Sequence, residues 1–127
     1  MTQPIQFFEL ASKQAEWLSV RQSVVAGNIA NANTPGYMAK DVTPFQSVLE
    51  NAGIRMAATN PMHFTEGSLA SEVTDVEAND DVGVQISGNS VGLAEELMKQ
   101  GQVKREYELS AGLVKAFHRM MLMTVRT

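Results

Sequence analysis

The chain has no cysteine, which removes disulfides, thiolate metal sites and cysteine nucleophiles together. Aromatic residues are scarce at 6%, with a single tryptophan, so the apolar surface rests largely on flexible or small side chains. No uninterrupted apolar run approaches the length needed to cross a bilayer. The first ten residues carry no Lys or Arg ahead of an apolar stretch, and no small-residue cleavage site follows, so a cleaved secretory signal is not expected. A dense basic stripe is also missing, and with it the footprint of nucleic-acid binding.

What is present is apolar and adaptable. Hydrophobic residues make up 44% of 127 residues, enough for one modest core, and eight are methionines. The net charge of −4 is unevenly spread: residues 1–33 balance, residues 34–90 hold two basic and eight acidic side chains, and residues 91–127 hold six basic and four acidic. The chain accordingly reads in three parts: an N-terminal helix over 1–33, a turn and irregular middle over 34–90, and a C-terminal helix over 91–127.

From Ile5 to about Ala32, Phe8, Ala11, Ala15, Leu18, Val25, Ile29 and Ala32 recur at heptad spacing, with Gln22 as the one polar break. Pro4 suits a first turn, where its missing N–H costs nothing. Pro35 pushes Thr34 out of the α region, so the helix stops near Asn33, and Thr34-Pro35-Gly36-Tyr37 fits a type II turn. Val42, Phe45, Val48 and Leu49 predict a short amphipathic stretch, interrupted by Pro44 and closed by Asn51-Ala52-Gly53.

Residues 54–90 have the weakest periodicity and read as loop, with one short strand through Val82, Val84 and Ile86. The last helix is expected to begin between Asn89 and Gly92, with Asn89 or Ser90 as its cap and Glu95 and Glu96 near the positive end of its dipole. Two apolar seams can be drawn along it. One runs through Leu93, Leu97, Tyr107, Ala111, Val114, Met121 and Val125, the other through Leu109, Leu113, Ala116, Phe117 and Met120. A helix apolar on so much of its circumference needs two partners, one of them the N-terminal helix and the other from outside the chain.

The fold class is therefore mainly α: two long terminal amphipathic helices forming an elongated, coiled-coil-like hairpin around a small irregular middle with little β. The residues expected to carry the helix interface are Phe8, Leu18, Val25 and Ile29 with Leu97, Tyr107, Val114 and Met121.

No catalytic constellation emerges. His63 and His118 lack ligand spacing to each other or to a carboxylate, Met120, Met121 and Met123 at helical spacing belong to packing or an interface, and the acidic middle lacks calcium-loop spacing. The expectation is a non-enzyme with no cofactor, no metal and no small-molecule substrate.

The string Asn28-Ile29-Ala30-Asn31-Ala32-Asn33-Thr34-Pro35-Gly36-Tyr37 closely resembles the signature of flagellar rod, hook and hook-associated axial proteins. That family joins this motif to a long C-terminal amphipathic helix, as here. The short length, together with Lys40-Asp41-Val42, Phe45-Gln46, Thr59, Pro61, His63, Gly88-Asn89 and Glu95-Glu96, resembles its small, proximal rod members. The chain departs from the usual pattern at Ser87, often acidic in the family, and at Gln100-Gly101-Gln102.

The resemblance implies a structural subunit of the drive shaft that polymerises through its terminal helices, with Asn28, Ile29, Asn31, Asn33, Thr34, Pro35, Gly36 and Tyr37 as an assembly motif. It also implies the partners: other copies of the chain, other flagellar rod proteins, a protein at the junction of membrane ring and rod, and the flagellar export apparatus. The implied location is the periplasmic rod of the basal body, reached without a cleaved signal. A cytoplasmic helical-hairpin adaptor or export chaperone is the alternative from another class.

Overall fold

The computed structural model describes residues 4–52, 73–75 and 86–126. Helix α1 spans Pro4–Ala30, strand β1 Lys40–Val42, helix α2 Phe45–Ala52, strand β2 Val73–Asp75 and helix α3 Leu93–Val125. At 1.5 Å per residue α1 is about 40 Å long and α3 about 50 Å.

The two long helices run antiparallel. Phe7 and Phe8 near the start of α1 meet Phe117 near the end of α3, at ring-centroid distances of 4.5 and 5.6 Å. At the opposite end Asn28 reaches Glu96. The expected elongated hairpin is therefore what forms. Among the described residues no helix is long and apolar enough to cross a membrane.

On α1 the heptad reading holds: Leu18 and Val25 are buried, while Phe8, Ala11, Ala15 and Ile29 are half-buried along the same stripe. Trp17, flanking it, is buried with Leu18, Val42 and Val103, and Val20, Val24, Phe45 and Val48 pack against that cluster. The tryptophan ring lies 5.7 Å from Phe45, and its indole N–H donates to the Thr43 carbonyl at 2.8 Å. One aromatic side chain thus fastens the β1–α2 connection to α1, giving both its apolar body and its polar edge a partner.

On α3 the seam differs from the two drawn from hydropathy. The stripe turned toward the rest of the chain is Glu96, Lys99, Val103, Glu106, Ser110, Val114, Phe117 and Met121, in steps of three and four residues. Val114, Met121 and Phe117 were divided between the two predicted seams and lie together here, half-buried. Leu97 and Tyr107 face away and are exposed, at 51% and 57%. The physical reason is that the N-terminal half of this seam is polar, so the apolar residues mark the helix's flanks rather than its contact with α1.

The short strands pair antiparallel in the register Lys40↔Asp75, Asp41↔Thr74 and Val42↔Val73. Strand β2 lies in the part of the chain expected to be loop. Val82, Val84 and His63 fall outside the described residues, and Ile86, expected to end a strand, occupies an exposed turn.

Candidate functional site: the motif loop and the outward faces of the C-terminal helix

The ten-residue motif begins inside α1 and ends just before β1. Its Pro-Gly turn forms as expected: the Tyr37 N–H donates to the Thr34 carbonyl at 3.3 Å, and Gly36 has φ +73°, the left-handed value that the third position of a type II turn requires. Thr34, Pro35 and Gly36 stand exposed at the tip, with Asn33 beside them.

Asn28 is the fixed point of the motif and is fully buried. Its amide NH2 donates to the Lys40 carbonyl at 2.7 Å and to Glu96 Oε2 at 3.1 Å. Its carbonyl oxygen accepts from the Lys40 N–H at 3.0 Å and from the Tyr37 hydroxyl at 3.3 Å. All four bonding directions of the side chain are used, and through them α1, the loop and α3 meet at one residue. Ile29 packs half-buried beside it. Asn31 acts locally, donating to the Gly27 carbonyl at 2.8 Å and accepting from the Thr34 hydroxyl at 3.1 Å.

A second asparagine braces the loop from the other side. Asn89 is also fully buried, and its NH2 donates to the Asn31 and Thr34 carbonyls, each at 2.8 Å, while its oxygen accepts from the Val91 N–H at 2.8 Å. Ser90 Oγ accepts from the Ala39 N–H at 2.8 Å. Neither residue caps α3. The residue at the N-cap is Gly92, which makes no side-chain cap bond, so the expected capping role is corrected to one of bracing the motif. Ser87, where the chain departs from the usual acidic residue, contributes only its backbone carbonyl, which accepts from the Gly36 N–H at 2.9 Å.

Next to Asn28 lies a charge network. Glu96 is 2% exposed, and Lys99 Nζ stands 3.1 Å from its Oε1, 3.3 Å from Asp41 Oδ2 and 3.4 Å from Glu95 Oε1. Burial pulls the Lys99 pKa down, but the hydrogen bond to Glu96 and the charges of Asp41, Glu96 and Glu95 together outweigh it and hold the ammonium above its usual value of 10.5. Arg21 Nε lies 3.6 Å from Asp41 Oδ1, and its guanidinium sits 5.3 Å from the centroid of the Trp17 ring. Among the described residues no group of His, Asp and Glu is placed to hold a metal ion. The network is a means of ordering helices, with a lysine at its centre.

The other prominent feature is what α3 leaves uncovered. At about 100° per residue, two apolar stripes flank the inward seam, each roughly a third of a turn away. One is Met98, Leu109, Leu113, Met120 and Met123; the other is Leu93, Leu97, Tyr107, Leu122 and Val125, and every one of these is exposed. His118 is exposed as well.

Comparison with known proteins agrees with the motif. Residues 17–37 match the family profile described as flagella basal body rod protein. Flagellar basal body rod protein FlgB of Agrobacterium fabrum is 60% identical over 128 residues, covering 98% of this chain and 96% of the relative. FlgB of Aeromonas hydrophila is 34% identical over 77% of this chain and 82% of its own length, and FlgB of Bacillus subtilis 33% identical over 82% and 78%.

The chain belongs to the FlgB family of flagellar basal body rod proteins. It is a structural subunit of the rod. Of the sequence-predicted site residues, this rod subunit brings Asn28, Ile29, Asn31, Tyr37, Leu18, Val25, Phe8, Val114 and Met121 into its own packing, and leaves Asn33, Thr34, Pro35, Gly36, Leu97 and Tyr107 on its surface. Sequence reasoning missed Trp17, Asn89, Ser90, Glu96 and Lys99 as structural determinants. A signal for the last two was present in their spacing to Val103 and Ser110, which continues a heptad into polar residues.

Proposed function

We propose that this rod subunit polymerises through the two outward stripes of α3, each taking a different neighbour: other copies of the chain on one, and a copy or another rod protein on the other. The observation that supports the reading is the pair of flanking apolar stripes on a helix whose third face is already occupied by α1. A helix in that state buries its remaining apolar surface only by gaining neighbours. Two unlike stripes make a heterologous contact, which continues, where a self-complementary patch would close on itself and end growth.

The same reading places the chain in the proximal part of the rod, in contact with a protein at the junction of membrane ring and rod. It also has the chain reach the periplasm through the export apparatus. Family likeness of the motif supports those points. The role is structural rather than catalytic.

The test uses one substitution per stripe, Leu113→Asp and Leu97→Asp, at sites 54% and 51% exposed in the isolated chain. Both variants are expected to keep helix content and melting temperature within a few degrees of wild type while losing incorporation into washed hook-basal bodies, measured by quantitative mass spectrometry. Wild-type recovery of both variants in those preparations would show that the stripes are not the assembly surface.

A further inference from the structure

The hydrogen bonds of the motif loop divide into two sets. The first half is served locally: the Asn31, Ala32 and Thr34 N–H groups donate to the carbonyls of Gly27 and Asn28, of Ile29 and of Asn31. The second half is served largely from across the chain. The Gly36 N–H goes to the Ser87 carbonyl, the Tyr37 carbonyl accepts from the Ser90 N–H, and the Ala39 N–H goes to Ser90 Oγ. Asn89 closes the arrangement by holding the Asn31 and Thr34 carbonyls, 58 and 55 positions away in sequence. The two left-handed glycines lie back to back here, a Cβ added at Gly88 coming 3.5 Å from Gly36 Cα, so the segment before α3 is laid directly against the turn.

We propose that Asn89 is a positioning residue that makes the order of the motif loop conditional on docking of α3. The loop's own turn supplies too few bonds to offset its ordering, and the bonds that complete it require a segment more than fifty residues away to be held in place. That segment runs straight into α3, and Glu96, one turn into the helix, is tied to Asn28 at the base of the same loop. Closing the hairpin therefore presents Thr34-Pro35-Gly36 as a fixed tip, and opening it releases the tip. Asn89 suits the task because it is fully buried, both amide hydrogens go to the loop, and its oxygen is anchored on Val91 two residues ahead of the helix. In one respect the proposal rests on the assembly reading above: the fixed tip is of use to a neighbour.

Hydrogen exchange by mass spectrometry on the full-length chain tests the coupling. In wild type, amides of residues 34–39 are expected to be protected in step with those of α1 and α3 around Leu18 and Val103. Asn89→Ala and Asn89→Asp, the second keeping an acceptor for Val91 while removing both donors to the loop, are expected to speed exchange in 34–39 by about tenfold or more, leaving the helix amides within about threefold. Val103→Asp, which places a charge in the helix seam, is expected to deprotect helices and loop together.

An unprotected wild-type loop overturns the proposal. So does a loop whose exchange is unchanged in both Asn89 variants, or one that stays protected while Val103→Asp frees the helices. Recovery of Asn89→Ala in basal bodies at wild-type levels, with a deprotected loop, would leave the coupling intact and remove the tip from the assembly surface.

Discussion

Replacing Asn28 with alanine is expected to be among the most damaging single changes available in this chain. The substitution removes two hydrogen bonds to the Lys40 backbone, at 2.7 and 3.0 Å, one to the Tyr37 hydroxyl and one to the buried carboxylate of Glu96. A neutral bond contributes about 1 kcal/mol net and one to a charged group about 1.5–3 kcal/mol. The Lys40 N–H and carbonyl then lose their partner in a part-buried site, and Glu96 keeps Lys99 at 3.1 Å. A loss of about 4.5–6 kcal/mol follows, against a whole-domain stability of about 5–15 kcal/mol. Urea denaturation followed by circular dichroism measures it, with an unchanged m-value showing that the denatured state is not the cause. Asn28→Asp sharpens the test, because it keeps the acceptor for Lys40 and Tyr37 but sets a second carboxylate about 3 Å from Glu96. Its defect at pH 7 is expected to exceed that of Asn28→Ala, because two like charges then face each other in a buried site. A loss below about 1 kcal/mol for both variants would refute the view that this node holds the hairpin together.

Two further changes probe other parts of the fold. Lys99→Met removes the cation shared by Asp41, Glu95 and Glu96 and is expected to cost about 2–4 kcal/mol at neutral pH by chemical denaturation, since it leaves Glu96 buried without its ion partner. The Lys99 pKa is raised in the folded state, so its contribution is fully present below the unfolded value of 10.5 and is lost as pH rises through the folded one; the gap between wild type and Lys99→Met should therefore narrow at strongly alkaline pH. Gly101→Ala is expected to stabilise the isolated chain by about 0.5–1 kcal/mol, read as a higher melting temperature, because Gly101 lies within α3 and an added Cβ meets nothing within 4 Å.

How far the fold could be read from sequence differs between the two long helices. In α1 the seam is spelled in Ala, Leu, Val and Ile, and the observed burial of Leu18 and Val25 follows from their spacing. The Thr34–Tyr37 turn was equally legible, since proline and glycine restrict the backbone locally. In α3 the inward seam includes Glu96, Lys99, Glu106 and Ser110, which hydropathy assigns to water, while the leucines and all the methionines of the helix but Met121 lie outward. Only the three-and-four spacing betrays it. Asn89 and Ser90 were read as caps because capping is a local rule, whereas their partners Asn31, Thr34 and Ala39 lie more than fifty residues away. The pairing of β1 with β2 was hidden for the same reason: three residues on each side carry too little periodicity to announce a partner.

The two ends of the hairpin are fastened by different chemistry, and that has a mechanical consequence. Phe7, Phe8 and Phe117 at one end form a greasy contact that tolerates small displacements, since ring-to-ring attraction varies gently with position. Asn28 at the other end donates a directional bond to Glu96 that a shift of one helix past the other by a single 1.5 Å step would break. Under a shearing load along its length the subunit would therefore yield first at the aromatic end, with the asparagine end serving as the clamp about which any sliding or twisting is reckoned. In a part that works in a rotating shaft, such an arrangement confines compliance to one known end of each subunit.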